Sequence, residues 1–347
     1  MNILLGKLGQ KIIFNRDSKE CDRSNTNGNV GTYLLFKLLI ENNKEDTFYV
    51  ASENDLSTFD EKPFENVVDV SGLNWEFIEK LNIDVMFVLT GLTQYEKNDR
   101  FIGILNNLRA KFILLSDDPR CLDSVSEDDR ITRRPEVIIS QFDGMYNFKG
   151  FDYHVKYEPI ERASCYGCDV PYFEGKDVDM LIISNTSGKE YDRVKILYEI
   201  IGGTTGLNIY GRLSDEEREM LGKDNCKGEL KYTEMQSVLR KASSTFMVPI
   251  KKGWVTSKYV ESLMNGVLPV FHEDYNTGLL EASDLIVVRN KDEFSRVYEN
   301  IVKSDKKAVE NLAKEWFNML IKPYVDGKRL SNILMSYATI LTHRKEN

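Results

Sequence analysis

The sequence predicts an α/β protein of two doubly wound, Rossmann-like domains facing across a cleft. Short apolar runs alternate with helix-patterned stretches along the whole chain, which is the βαβ signature of a parallel sheet. The length of 347 residues exceeds one ordinary core and makes two domains of similar size the prior. Hydrophobic residues at 41% and charged ones at 29% are the proportions of a globular protein, and no apolar run approaches a membrane span.

The elements follow in order. Asn2–Leu5 reads as a first strand running into a glycine-bearing turn, not as a signal peptide. Further strands are expected at Thr47–Ala51, Val67–Val70, Asp84–Leu89, Lys111–Ser116 and Val137–Ser140, with helices at Gly31–Asn42 and Asp99–Arg109. A second series is expected at Met180–Ser184, Leu207–Tyr210, Thr245–Pro249, Leu268–Phe271 and Leu285–Val288. Its helices are Tyr191–Ile201, Thr233–Lys241, Thr256–Asn265 and Lys291–Ser304. The series join near Glu161–Lys176, which sets domains at 1–165 and 170–325. Residues 326–347 carry a last amphipathic helix, with Leu330, Ile333, Leu334, Tyr337, Ile340 and Leu341 on one stripe. There is no low-complexity tract and no internal repeat.

The net charge of −9 lies in the first half: residues 1–170 hold 20 Lys and Arg against 29 Asp and Glu, whereas residues 171–347 hold 26 of each. A phosphate-rich ligand finds its cations more easily in the second half, and a polyanion spread over the first half is disfavoured. Five cysteines without a framework spacing read as free thiols of a reducing, cytoplasmic setting. Cys165 and Cys168 stand as a lone pair, and His154, His272 and His343 are scattered, so no metal site is expected.

Ligands of open α/β sheets bind beyond the carboxyl ends of the strands, which directs attention to the residues after each strand. Glu261 to Val270, Glu-Ser-Leu-Met-Asn-Gly-Val-Leu-Pro-Val, places a carboxylate near a helix start, ends that helix at a Gly and opens a buried strand. Free N–H groups at the helix start suit a pyrophosphate, and the carboxylate suits the vicinal hydroxyls of a ribose. Thr256 is the expected N-cap, with Lys258 as a phosphate contact and Glu261 as the ribose acceptor. After Met180–Ser184, Ser187 and Gly188 turn into a helix on which Lys189 and Arg193, four apart, share a face and can reach one diphosphate. These features point to a nucleotide sugar. In the first half, Lys111–Ser116 ends in Asp117-Asp118-Pro119-Arg120. Two acids at a strand end suit a general base, a metal pair or an Asp-Pro turn; Asp117, nearest the strand, is the candidate base. The Gly6-Lys7-Leu8-Gly9 turn lacks the GxGxxG spacing, which argues against NAD or FAD. His272-Glu273-Asp274 follows a strand, where it could touch a ribose or base, but reads as a solvated loop.

In collinear order these residues resemble the DNA β-glucosyltransferases of T-even bacteriophages, two-domain glycosyltransferases of the GT-B class. The resemblance runs through Gly9, Leu35-Phe36-Lys37, Ser116-Asp117, Val137-Ile138-Ile139-Ser140-Gln141 and Pro159-Ile160-Glu161. It continues through Ser187 with Arg193, Gly206-Leu207-Asn208-Ile209 to Gly211, then Gly228, Thr256 and Glu261. It implies that Asp117 is the catalytic base, that Gly9, Ser187, Gly188, Lys189, Arg193 and Lys258 serve the nucleotide sugar, and that Glu261 holds the ribose. It further implies a backbone contact from Leu230 to uracil, hence a UDP-sugar donor, and a C-terminal helix crossing back onto the first domain. The sequence departs from the family at Gly31, where the family has a Glu near the sugar, and at Lys189 and Lys258, where it has Arg. Both changes keep charge but lose bidentate geometry.

The expected activity is inverting transfer from a UDP-sugar to a hydroxymethylated pyrimidine in double-stranded phage DNA, in the cytoplasm of the host cell. Any divalent cation, Mg or Mn, would be held by the diphosphate. Arg120, Arg133 and Arg134 are the candidate contacts to DNA, with Arg130 beside them and Lys251 and Lys252 opposite; only a rim of cations is needed for a flipped base. The competing expectations are a GT-B transferase acting on a glycan, protein or small molecule, and a binding protein without turnover.

Overall fold

The computed structural model describes residues 1–8, 29–51, 65–70, 72–91, 99–168, 171–173, 175–184, 192–230 and 232–343, with backbone only at 29–33 and 232–233. Two compact units emerge. The first combines Met1–Tyr166 with Asp326–Asn347, and the second is Gly167–Val325.

In the first unit the strands are β1 (Asn2–Lys7), β2 (Thr47–Ala51), β3 (Val67–Asp69), β4 (Val85–Leu89), β5 (Lys111–Ser116), β6 (Val137–Ser140), β7 (Gly144–Phe148) and β8 (Phe151–Tyr157). The helices are α1 (Asn29–Asn42), α2 (Trp75–Glu79), α3 (Asp99–Asn107) and α4 (Pro119–Glu127), joined later by α11 (Lys328–His343). The second unit carries β9 (Val178–Ile183), β10 (Asn208–Tyr210), β11 (Cys226–Gly228), β12 (Ala242–Met247), β13 (Leu268–His272) and β14 (Val287–Val288). Its helices are α5 (Arg193–Ile201), α6 (Asp215–Leu221), α7 (Tyr232–Lys241), α8 (Lys258–Met264), α9 (Lys291–Lys303) and α10 (Lys306–Trp316).

The sheets run β3-β2-β1-β4-β5-β6-β8-β7 and β11-β10-β9-β12-β13-β14. Six strands of the first sheet, and all six of the second counted from β9, stand in the 3-2-1-4-5-6 order of a doubly wound fold. All ladders are parallel except β7 with β8. The order reverses between β1 and β4 and between β9 and β12, and the carboxyl ends there are where such sheets bind ligands. The central strands are apolar on both faces because helices cover both: Val85–Leu89 is buried throughout.

Two expectations are corrected and one element is added. Strand β12 begins at Ala242, three residues before the expected Thr245. Ser243, Ser244 and Thr245 are buried in it, and the Ser244 hydroxyl donates to the Asp179 carbonyl at 2.7 Å, so small hydroxyl residues fit a central strand without an apolar signature. The β7–β8 hairpin was not foreseen. Its two-residue turn, Lys149 (φ 51°) and Gly150 (φ 79°), is of the type with both φ positive that matches strand twist, but a lysine stands where Asn or Asp usually marks it. On α11 the buried stripe is Leu330, Ser331, Leu334, Met335, Ala338 and Leu341, while Ile340 is 53% exposed. This helix lies on α1, with Asn43 Nδ2 donating to Ser331 Oγ at 2.7 Å and Tyr337 donating to Glu158 at 2.7 Å. Among the described residues no helix is long and apolar enough to cross a membrane.

Candidate functional site

In the first unit the candidate residues follow β5. Three hydroxyls at the carboxyl ends of β4, β5 and β6 hold the turn: Thr90 donates to Ser116 Oγ (3.0 Å), Ser116 to the Asp118 carbonyl (3.0 Å), and Ser140 to the Ser116 carbonyl (2.9 Å). The two acids then part company. Asp118 is the N-cap of α4, with Pro119 as first helical residue. Its carboxylate accepts from the Arg120 backbone at 2.8 Å and from the Arg120 guanidinium at 2.6 and 3.1 Å. It is spent on the helix start. Asp117, between strand and cap, is the candidate base. Burial holds its carboxyl above the ordinary value, the Lys7 ammonium pulls it down and Asp118 pushes it up. A raised carboxylate is a stronger proton acceptor.

Lys7 escaped the sequence reading. It is the last residue of β1, only 7% exposed, at the point where the strand order reverses. A lysine closing the apolar run Ile3–Leu5 at the end of β1 was the sequence signal that could have found it.

The expected DNA contacts are dispersed. Because β5 and β6 run parallel, Asp117 follows the carboxyl end of one whereas Arg133 and Arg134 precede the amino end of the other. The sheet therefore separates them from the candidate base. Arg133 donates to the carbonyls of Leu108 and Ala110 at the end of α3, which is a structural role for a half-buried guanidinium. Arg134 lies 3.7 Å over the Phe151 ring. Arg130 pairs with Asp128 (2.6 Å) and Asp99 (3.1 Å). Arg120 stays near Asp117, paired with Asp118. Arg133 and Arg134 thus stand at the opposite end of the sheet from Asp117.

In the second unit, α8 starts at Lys258 with Ser257 as its N-cap, not at Thr256 as expected. Thr256 is held instead by Tyr275, whose hydroxyl accepts from the Thr256 N–H and donates to its carbonyl, both at 2.7 Å. Lys258 and Glu261 consequently sit in the first turn. Lys258 donates to the Ile183 carbonyl at the end of β9, at 2.6 Å. Burial and the Arg193 guanidinium push its ammonium down to about 8, against the pull of Glu261. The two cations and the acid therefore share one electrostatic neighbourhood at the β9–β12 switch point. A small pocket there is lined by Ile183, Phe246, Met247, Lys258 and Glu261 among others. Arg193 opens α5, capped by Asp192, whose side chain accepts from Lys195 N at 3.0 Å. Leu230 follows the carboxyl end of β11, half-buried.

Gly9, Ser187, Gly188 and Lys189 lie outside the described residues. His272 is not the solvated loop expected: it ends β13, is buried, and accepts from the Asp274 N–H at 3.2 Å, with burial lowering its imidazole. Among the described residues no group of three or more His, Cys, Asp or Glu is gathered as a metal site.

No protein-family model matches the sequence, and no curated protein matches it at a significant level. The fold, in contrast, has full-length counterparts among solved structures. An Asp-to-Ala mutant of T4 phage β-glucosyltransferase in complex with UDP-glucose is similar over 100% of this chain and 99% of its own, with TM-score 0.59 and 14% identity. A glycosyltransferase of avilamycin A biosynthesis covers 99% and 98%, with TM-score 0.54 and 11% identity. Anabaena HepE in complex with UDP covers 97% and 100%, with TM-score 0.52 and 9% identity. The chain has the GT-B fold. At these identities the likeness establishes the fold and leaves the activity to be argued from the site.

Proposed function

We propose that this protein is a glycosyltransferase that moves a sugar from a UDP-sugar to a hydroxymethylated pyrimidine in double-stranded DNA, with inversion at the anomeric carbon. The observation that carries the transferase reading is the grouping of Arg193, Lys258 and Glu261 at the β9–β12 switch point, the place a doubly wound domain offers to a nucleotide. Glu261 would accept from the ribose hydroxyls, and Lys258 and Arg193, with Lys189, would face the diphosphate. Asp117 would take the proton of the acceptor hydroxyl as its oxygen bonds to the anomeric carbon. The bond from that carbon to the diphosphate oxygen breaks, and the cations carry the charge left on UDP. Interactions that strengthen as this charge develops lower the barrier and not merely the KM. Any Mg or Mn ion would ride on the diphosphate.

The DNA acceptor is supported by the full-length likeness to a DNA-modifying β-glucosyltransferase. A second acceptor class, a glycan, protein or small molecule, is favoured by the acidic first half and by the commitment of Arg133 to carbonyls. Mass spectrometry of duplexes containing cytosine, hydroxymethylcytosine or hydroxymethyluracil, incubated with UDP-glucose and other UDP-sugars, separates the two. A gain of one sugar on a hydroxymethylated duplex alone supports DNA. Release of UDP without a DNA product rejects DNA and keeps the transferase.

A further inference from the structure

We infer that Lys7 is a positioning residue for Asp117, its ammonium keeping the neighbouring carboxylate ionised and aimed at the acceptor. The inference rests on the reading of Asp117 as the base. Lys7 ends β1 in register with Leu89 of β4, and Leu89 stands in register with Leu115 of β5, two residues before Asp117. Two strand spacings of about 5 Å and an advance of two residues of about 3.3 Å each put the two backbones roughly 12 Å apart, a gap that a lysine stem and an aspartate extending towards each other can close to charge–charge range. The lysine is 7% exposed, and Leu5 two residues before it, its chain neighbour Leu8 and its ladder partner Leu89 are fully buried or nearly so. A cation in such surroundings is retained only against a compensating charge.

The charged and titratable groups that bear on the Asp117 carboxyl are Lys7 from β1 and Asp118 from the turn into α4. Around the same spot lie Arg120, held by Asp118, and Cys121, whose thiol is pushed up by burial and by both aspartates. The contributions of β4 and β6, Thr90 and Ser140, are hydroxyls that fix the turn. Among these groups Lys7 is the cation that opposes burial and Asp118, both of which favour the neutral acid. The sign is therefore fixed: removal of the lysine charge leaves Asp117 protonated to higher pH.

The test uses the full chain as wild type, Lys7→Met and Lys7→Arg. It follows the pH profile of kcat/KM for sugar transfer and, independently of turnover, the carbon-13 carboxyl titration of Asp117, assigned with Asp117→Asn. Lys7→Met is expected to move both the acidic limb and the titration upward by about one pH unit, with KM for the UDP-sugar unchanged. Lys7→Arg is expected to restore the wild-type limb. An active Lys7→Met enzyme with limb and titration unmoved overturns the inference. So does a raised acceptor KM at an unmoved limb, which would make Lys7 an acceptor contact. If Lys7→Met fails to fold, Lys7→Gln replaces it. A wild-type protein that transfers to no acceptor defeats the base reading, while the titration still decides whether Lys7 governs Asp117.

Discussion

Lys258 Nζ donates to the Ile183 carbonyl at 2.6 Å, tying the first residue of α8 to the last residue of β9 at the switch point of the second sheet. The bond aims a cation at the edge where a diphosphate would bind, yet it is a weaker claim on the ammonium than two phosphate charges. Burial and Arg193 have already pushed that ammonium down to about 8.

A pH-linked donor affinity follows. Free Lys258 loses its proton as pH rises through about 8, and a bound diphosphate restores the charged form, so UDP binding takes up a proton in alkaline solution and weakens with rising pH. Isothermal titration in buffers of different ionisation heat is expected to show uptake at about pH 9 and little at about pH 7, on either side of a group at about 8. Lys258→Met is expected to bind UDP about tenfold more weakly and to lose the proton linkage.

Glu261 lies in the first turn of the same helix and lines the same pocket. Glu261→Gln keeps the shape and removes the charge that strengthens hydrogen bonds from a ribose diol. UDP affinity is expected to fall by roughly 1.5–3 kcal/mol. The preference for UDP over its 2′-deoxy analogue is expected to collapse with it. An undiminished preference would move the ribose elsewhere.

Adjacent acids with different duties give a contrast experiment. Asp118 caps α4 and binds Arg120, so Asp118→Ala is expected to cost about 0.5–2 kcal/mol of stability in chemical denaturation. Its transfer rate on the pH plateau should persist. The acidic limb should move down, because Asp118 is one of the groups raising Asp117.

The strands were legible where an apolar run is bounded by polar or turn residues: Thr47–Ala51, Lys111–Ser116 and Val137–Ser140 have the expected bounds. Legibility failed where the structure replaces an apolar signal with a polar one. Ser243 and Ser244 are core residues of β12, Lys149 fills a turn position that Asn usually marks, and Thr256 is held by a tyrosine nineteen positions on, so it caps nothing. In the site, the Arg193, Lys258 and Glu261 grouping was readable because all three stand in the first turn of a helix that follows a strand. Lys7 was not, since its role depends on a strand two places across the sheet. Charge alone made Arg133 and Arg134 look like rim cations, although they precede the expected strand Val137–Ser140 and so stand at the amino end, opposite the end at which parallel sheets bind ligands.

Backbone geometry carries its own prediction. Gly266 (φ 65°) ends α8, and a Cβ there would overlap the Tyr172 carbonyl and the Phe173 ring. Gly266→Ala is expected to cost at least about 2 kcal/mol, from strained backbone and steric overlap together. Thermal unfolding is the check. Because α8 carries Lys258 and Glu261, UDP affinity should fall as well.

The most direct measurement is transfer by Asp117→Asn set beside its donor binding. The variant keeps the size of the side chain and cannot accept the acceptor proton. A loss of kcat of roughly 10²–10⁴ with unchanged Kd for the UDP-sugar is the predicted result, placing donor and base in separate units of the chain. Transfer at the wild-type rate would contradict the account, because no proton acceptor would then be needed at the end of β5.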